Sequence, residues 1–176
     1  MNANECPLEV CLTAGTAVLR INGRANVKCS PQFKRLLQEL YQRGVTRFVL
    51  DLSRCDLMDS TFLGVLLGFA IKTPAGPSGP PKVELYRINE RVRNLFETLG
   101  VLQYFSLCET LTLDGVEYEP ACTSEMSATK KEIAATSLQA HIDLMAVNPA
   151  NVPRFKDVVK FLEEDLGCGG DASQGS

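Results

Sequence analysis

Hydrophobic and polar positions along this chain alternate between a period of two and a helical period. Val10-Cys11-Leu12-Thr13 and Ala17-Val18-Leu19-Arg20-Ile21 flank a turn at Gly15 and predict two strands. Ser30-Pro31 marks a helix start with proline at its first position, and Phe33, Leu36, Leu37, Leu40 and Tyr41 recur at helical spacing as far as Gly44. Val45–Leu52 is apolar almost throughout, the pattern of a central strand buried on both faces. A short loop then leads to a helix that is apolar nearly all round from Thr61 to Ile71, and whose first turn opens on Asp59-Ser60-Thr61. Four prolines and two glycines in Thr73–Pro81 stop it. Lys82–Ile88 alternates as a strand, and Asn89 caps a helix carrying Val92, Leu95, Phe96 and Leu99 on one face, closed by Gly100. Phe105–Leu107 and Thr110–Leu113 supply a last strand or edge segment.

The pattern changes after that. A polar linker at 119–128 leads to Thr129-Lys130-Lys131-Glu132, which fits a capping box. Ile133, Leu138, Ile142, Leu144, Met145 and Val147 follow in a helix that Asn148-Pro149-Ala150-Asn151 breaks. Pro153 opens a second helix, with Phe155, Val158, Val159, Leu162 and Leu166 on one side, ending at Gly167. Residues 168–176 are small and polar and are expected to be disordered. The expected fold class is α/β. A mixed β-sheet with helices packed against it spans 8–118, and a two-helix C-terminal extension spans 129–167.

Composition narrows the function classes. Apolar residues make up 45% and charged residues 22%, ordinary values for a soluble globular protein. Residues 1–119 carry 13 basic and 13 acidic side chains, so the net charge of −3 comes from residues 120–176, with 5 and 8. No basic run appears, so nucleic acid is not an expected partner. Seven scattered cysteines with no Cys-x-x-Cys disfavour a disulfide framework, and a reduced, cytoplasmic setting is expected. The lone His141 cannot complete a zinc pattern, and it reads as a partly buried or surface histidine rather than a base or ligand. The N-terminus shows no signal peptide, and the longest apolar run, Phe62–Ile71, is about half a bilayer span, so no direct membrane insertion is expected. Asp51 and Asp56 lack a third ligating group. No metal, cofactor or catalytic residue is expected, and the chain does not read as an enzyme.

The candidate chemistry lies at Asp59-Ser60-Thr61. A hydroxyl at a helix start sits where backbone N–H groups and the helix dipole favour negative charge. A phosphate there changes the local surface by nearly two charges. On helix chemistry alone, Ser60 reads as a cap that satisfies the first amides. Gly64 and Gly68, four apart, either serve core packing or flatten a face for a partner. The apolar side of the last helix packs on the chain's own domain or makes a homodimer.

The element order, with Asp51-Leu52-Ser53, Leu57-Met58-Asp59-Ser60 and Leu63-Gly64-Val65-Leu66-Leu67-Gly68, closely resembles the STAS domain of sulfate transporters and anti-sigma factor antagonists. The resemblance covers about residues 8–118. It implies an anti-sigma factor antagonist acting by partner switching in transcription regulation, with Ser60 as phosphoacceptor and Thr61 a weaker candidate. It also implies a serine kinase that doubles as the anti-sigma factor, and a metal-dependent phosphatase that restores the free hydroxyl. Asp59, Ser60, Thr61, Phe62, Gly64 and Asn26 are the expected partner-binding residues. Two positions depart from the family pattern: Phe62 stands where glycine is common, and Asn26 where many members carry aspartate. Two other roles fit the resemblance, an accessory subunit of a lipid or anion transporter and a scaffold subunit of a signalling assembly.

Overall fold

The apolar run at the centre of the chain forms the middle of a six-stranded sheet. The computed structural model describes residues 8–113, 115, 117–121 and 127–168. Its strands are β1 (Leu8–Thr13), β2 (Thr16–Ile21), β3 (Gly23–Ala25), β4 (Arg47–Asp51), β5 (Cys55–Met58), β6 (Lys82–Tyr86), β7 (Ser106–Cys108) and β8 (Glu119–Pro120). The large sheet runs β7-β6-β4-β2-β1-β8. β1 is antiparallel to β2 and to β8, whereas β2, β4, β6 and β7 are parallel neighbours, with Val18 opposite Val49 and Val49 opposite Glu84. β4 sits between two partners, which explains its continuous apolar sequence.

Three helices cover one face: α1 (Ser30–Gln42), α2 (Ser60–Lys72) and α3 (Glu90–Thr98). Phe33, Leu37, Phe62, Leu63, Leu67 and Phe96 bury against Leu19, Phe48, Leu50 and Leu85 in a single cluster. Phe48 and Leu50 point into it, whereas Val49, on the opposite pleat, joins Cys11 and Val18 on the other face. That second face is covered by Tyr86, Cys108, Leu111, Leu113 and Tyr118.

Two expectations are corrected. Residues 55–58 are not loop: they form β5, which pairs in parallel with β3 as a separate two-stranded sheet. The expected linker at 119–128 begins as a strand, since Glu119 and Pro120 add to the edge of β1, where proline is tolerated. The segment 110–113 lies over the sheet rather than in it. Buried Asp51 anchors this cover, accepting from Arg20 Nε at 3.0 Å and from the Tyr118 hydroxyl at 2.8 Å, with the Arg20 guanidinium 3.5 Å above the Tyr118 ring.

The C-terminal helices are α4 (Lys130–Val147) and α5 (Val152–Cys168), joined by a 3₁₀ turn at Pro149–Asn151. α4 opens on the expected capping box, Thr129 with Glu132. α4 packs along α2 and α1, and α5 packs on α4. The buried face of α4 is Ala134, Thr136, Ser137, Ala140, His141, Asp143 and Leu144. Its larger apolar residues, Ile133, Leu138, Ile142 and Met145, are only half-buried along its flanks. On α5, Val159 is buried and Phe155 packs against the main cluster, but Phe161 is 66% exposed. The expected tail, apart from Cys168, lies outside the described residues.

Candidate functional site

Asp59 organises the start of α2. It is the N-cap, with extended backbone, and its carboxylate accepts from Phe62 N at 2.9 Å and from Val27 N at 2.6 Å. Its own N–H donates to Ala25 O at 2.9 Å. One side chain therefore ties the turn after β3 to the first turn of α2. Asn26 sits in that turn, half-buried, with Oδ1 accepting from Lys28 N at 3.0 Å and its carbonyl accepting from the Ser30 hydroxyl at 2.9 Å. Asn26, Asp59 and Ser60 thus share one rim. Burial raises the Asp59 carboxyl above its usual range, opposed by the bonds from Phe62 and Val27.

Because Asp59 is the cap, the Ser60 hydroxyl is free of that duty. Ser60 occupies the first helical position, and its Oγ lies 2.9 Å from His141 Nε2 on α4. The direction of this bond follows from the other ring nitrogen. His141 Nδ1 lies 2.7 Å from the Ser137 carbonyl oxygen, which can only accept, so Nδ1 carries the proton. Nε2 then accepts, and Ser60 donates. The imidazole is 4% exposed, and burial pushes its pKa down, opposed by the Ser137 bond and the Asp59 charge. The lowered value favours the uncharged ring. Phe155 of α5 lies against its other side, with ring centroids 4.8 Å apart.

The remaining expected residues divide. Thr61 is buried, its hydroxyl 3.0 Å from that of Ser137. Phe62, expected from the sequence among the partner-binding residues, is wholly buried and stacked on Phe33 with centroids 4.2 Å apart. Gly64 is covered by α4, and a Cβ added there would meet the Ala140 carbonyl oxygen at 2.5 Å. Gly68 is similar, with Asp143 Oδ2 at 2.6 Å from such a Cβ. Lys72 Nζ closes this end with a 2.9 Å bond to Asp143. The two glycines of α2 therefore admit the chain's own helix. His141 is the residue that sequence reasoning missed. The available signal was the glycine pair, which called for a closely approaching helix.

Ser60 and His141 have the connectivity of a nucleophile and its base. The surroundings do not complete a catalytic site. The Phe62 amide turns to the Asp59 carboxylate, so it is not available to a developing oxyanion. A cavity of about 670 Å³, lined by Lys34, Tyr41, Val65, Phe69, Lys72 and Asp143 among others, takes in neither Ser60 nor His141. Asp51 is committed to Arg20 and Tyr118, while Asp56 is exposed on β5, so the two carboxylates form no pair. Among the described residues no group of three potential ligands could hold a metal, and no helix is long and apolar enough to cross a membrane. What the arrangement offers is one hydroxyl, at a helix start, covered by α4.

Known proteins match this architecture. An anti-sigma factor antagonist from Mycobacterium paratuberculosis superposes with a TM-score of 0.53 at 17% identity, over 62% of this chain and 91% of that one. A Thermotoga maritima protein described as an anti-sigma factor antagonist gives 0.52 at 19% identity, over 62% and 92%. The Bacillus anti-sigma factor antagonist SpoIIAA, unphosphorylated, gives 0.48 at 19% identity, over 58% and 88%. A comparison with curated proteins finds no match. The family profile described as "Mlab, STAS domain" matches residues 9–108. With that match across most of the sheet and its three covering helices, this chain belongs to the STAS domain family.

Proposed function

We propose that the chain is a non-catalytic regulatory module of the anti-sigma factor antagonist type, switched by phosphorylation of Ser60. The observation that carries this reading is the spare hydroxyl. Asp59 satisfies the helix start, so Ser60 is left with an oxygen that no backbone group needs. A phosphate on it would add nearly two negative charges beside the Asp59 carboxylate, on the rim shared with Asn26. Partners of this reading are a serine kinase that is itself the anti-sigma factor and a metal-dependent phosphatase. The test is intact-mass analysis with phosphosite mapping on protein from its own cells, beside Ser60→Ala. A gain of one phosphate at Ser60, absent in the variant, is the expected result. No phosphate at Ser60 across growth and stress conditions overturns it.

The cover provided by α4 favours a second reading, a constitutive STAS subunit of a larger complex such as a transporter. In that case Ser60→Ala leaves the complex intact, and the chain fractionates with membranes whatever its phosphorylation state.

A further inference from the structure

α4 lies on the face of α2 that carries Ser60, and the composition of the contact is unusual for a permanent helix packing. Its specific bonds are polar: Ser60 with His141, Thr61 with Ser137, and Lys72 with Asp143. Between them, Gly64 and Gly68 meet Ala140 and Asp143. Leu144 is the one large aliphatic side chain on the buried face of α4. Permanent interfaces are more hydrophobic than this, and exchanging ones are more polar. α4 does reach the main cluster through Ala140 and Leu144, with Val147 and Phe155 packed against it, while Phe62 turns away from α4 to stack on Phe33 of α1.

We propose that the α4–α5 hairpin is a competitor in cis for the Ser60 face of α2, latched by the Ser60–His141 hydrogen bond, and that hairpin docking and a phosphate on Ser60 exclude each other. The inference rests on the reading of Ser60 as phosphoacceptor for its biological use; the exclusion itself is a property of this chain. At 2.9 Å the hydroxyl and Nε2 leave no space for a phosphoryl group between them. The ring cannot swing aside alone, because Nδ1 holds the Ser137 carbonyl and Phe155 backs it. α4 must therefore move as a body. The phosphate also replaces the hydroxyl proton that Nε2 accepts, and sets a dianion against a buried neutral ring beside the Asp59 carboxylate. By linkage, a docked hairpin disfavours a phosphate on Ser60 by the same equilibrium factor by which the phosphate disfavours docking. A partner that binds this face in trans meets the same competition.

The test uses the full chain with phosphoserine installed at position 60 by genetic encoding, so no kinase is needed. Hydrogen exchange is followed at α4 and at β2 and β4. Exchange of α4 is expected to rise at least about tenfold on phosphorylation, with β2 and β4 unchanged. Gly64→Ala is the uncharged counterpart, because its Cβ meets the backbone of Ala140, and it is expected to release α4 in the same way. Unchanged α4 protection in both proteins overturns the proposal. Slower α4 exchange in the phosphoserine protein also overturns it, since His141 would then be protonated and clamping the phosphate. If α4 is released in both yet Ser60 carries no phosphate in cells, even in Gly64→Ala, the exclusion stands and phosphorylation control fails.

Discussion

At the scale of single residues, the site turns on which side chain caps α2. Asp59 takes the amide of Phe62, and Ser60, one position later, is left to meet His141. Sequence alone could not separate these roles, because Asp, Ser and Thr are all good caps and stand in a row. Nor could it place His141, 81 positions away in sequence. The protonation of that ring has a measurable sign. Burial lowers the His141 pKa in the docked state, and undocking returns it towards its ordinary value of about 6.5. Protons therefore favour the undocked state, and docking is lost as pH falls from about 6.5 through the lowered value. Asp59 also faces the ring, and its raised pKa acts in the opposite direction at lower pH. Protection of α4 amides, taken relative to their intrinsic exchange at each pH, is expected to fall below pH of about 6.5, and His141→Gln is expected to flatten that response. A response that survives in His141→Gln assigns it to another group. Phe62 gives a second prediction at this scale. Replacing it with glycine, as is common in the family, empties the stack on Phe33 and is expected to lower stability by about 4 kcal/mol in urea titration.

At the scale of elements, those with a strong internal pattern were legible. β4 is a continuous apolar run between two partners, α1 begins at Ser30-Pro31, and α3 opens on Asn89, whose side chain accepts from Val92 N. β5 was not legible. Cys55 and Met58 are buried while Asp56 and Leu57 are exposed, a pattern that matches neither period. The buried face of α4 was not legible either, for a physical reason. Helix faces are recognised by large apolar residues, and this one is built of small and polar residues that fit two glycines. The start of α4 was readable because its capping box is local. Thr129 accepts from Glu132 N, and Glu132 returns the bond to Thr129 N. Thr129→Ala is expected to weaken α4 by about 1 kcal/mol. The expected observation is faster exchange in the first turn of α4, with that of α2 following only if the two helices undock together.

For the whole molecule, the sheet and its helices form a unit to which the hairpin is added through residues 121–129. The exit point of that connection is fixed. β8 pairs with β1, Ala121 N donates to Leu8 O at 2.9 Å, and Tyr118 is held by Asp51. Burial alone would raise the Asp51 carboxyl, but bonds from Ser53, Tyr118 and Arg20 bring it below its usual range. Its contribution to stability is therefore present above the ordinary carboxylate pKa and lost as pH falls through the lowered one. Asp51→Ala leaves Arg20 and the Tyr118 hydroxyl without this acceptor and is expected to destabilise the fold by about 2 kcal/mol, read in urea titration. It should also release the cover over the second sheet face. The anchored exit has a quantitative consequence. A hairpin that leaves α2 cannot diffuse away, because its tether begins at a fixed edge of the sheet. Covalent attachment gives the hairpin an effective concentration at Ser60 on the order of a millimolar. A partner present at about a micromolar must match the hairpin and then exceed it by about a thousandfold in affinity to hold the face half the time. A weakening of the cis contact lowers by the same factor the affinity that a partner needs to hold the face.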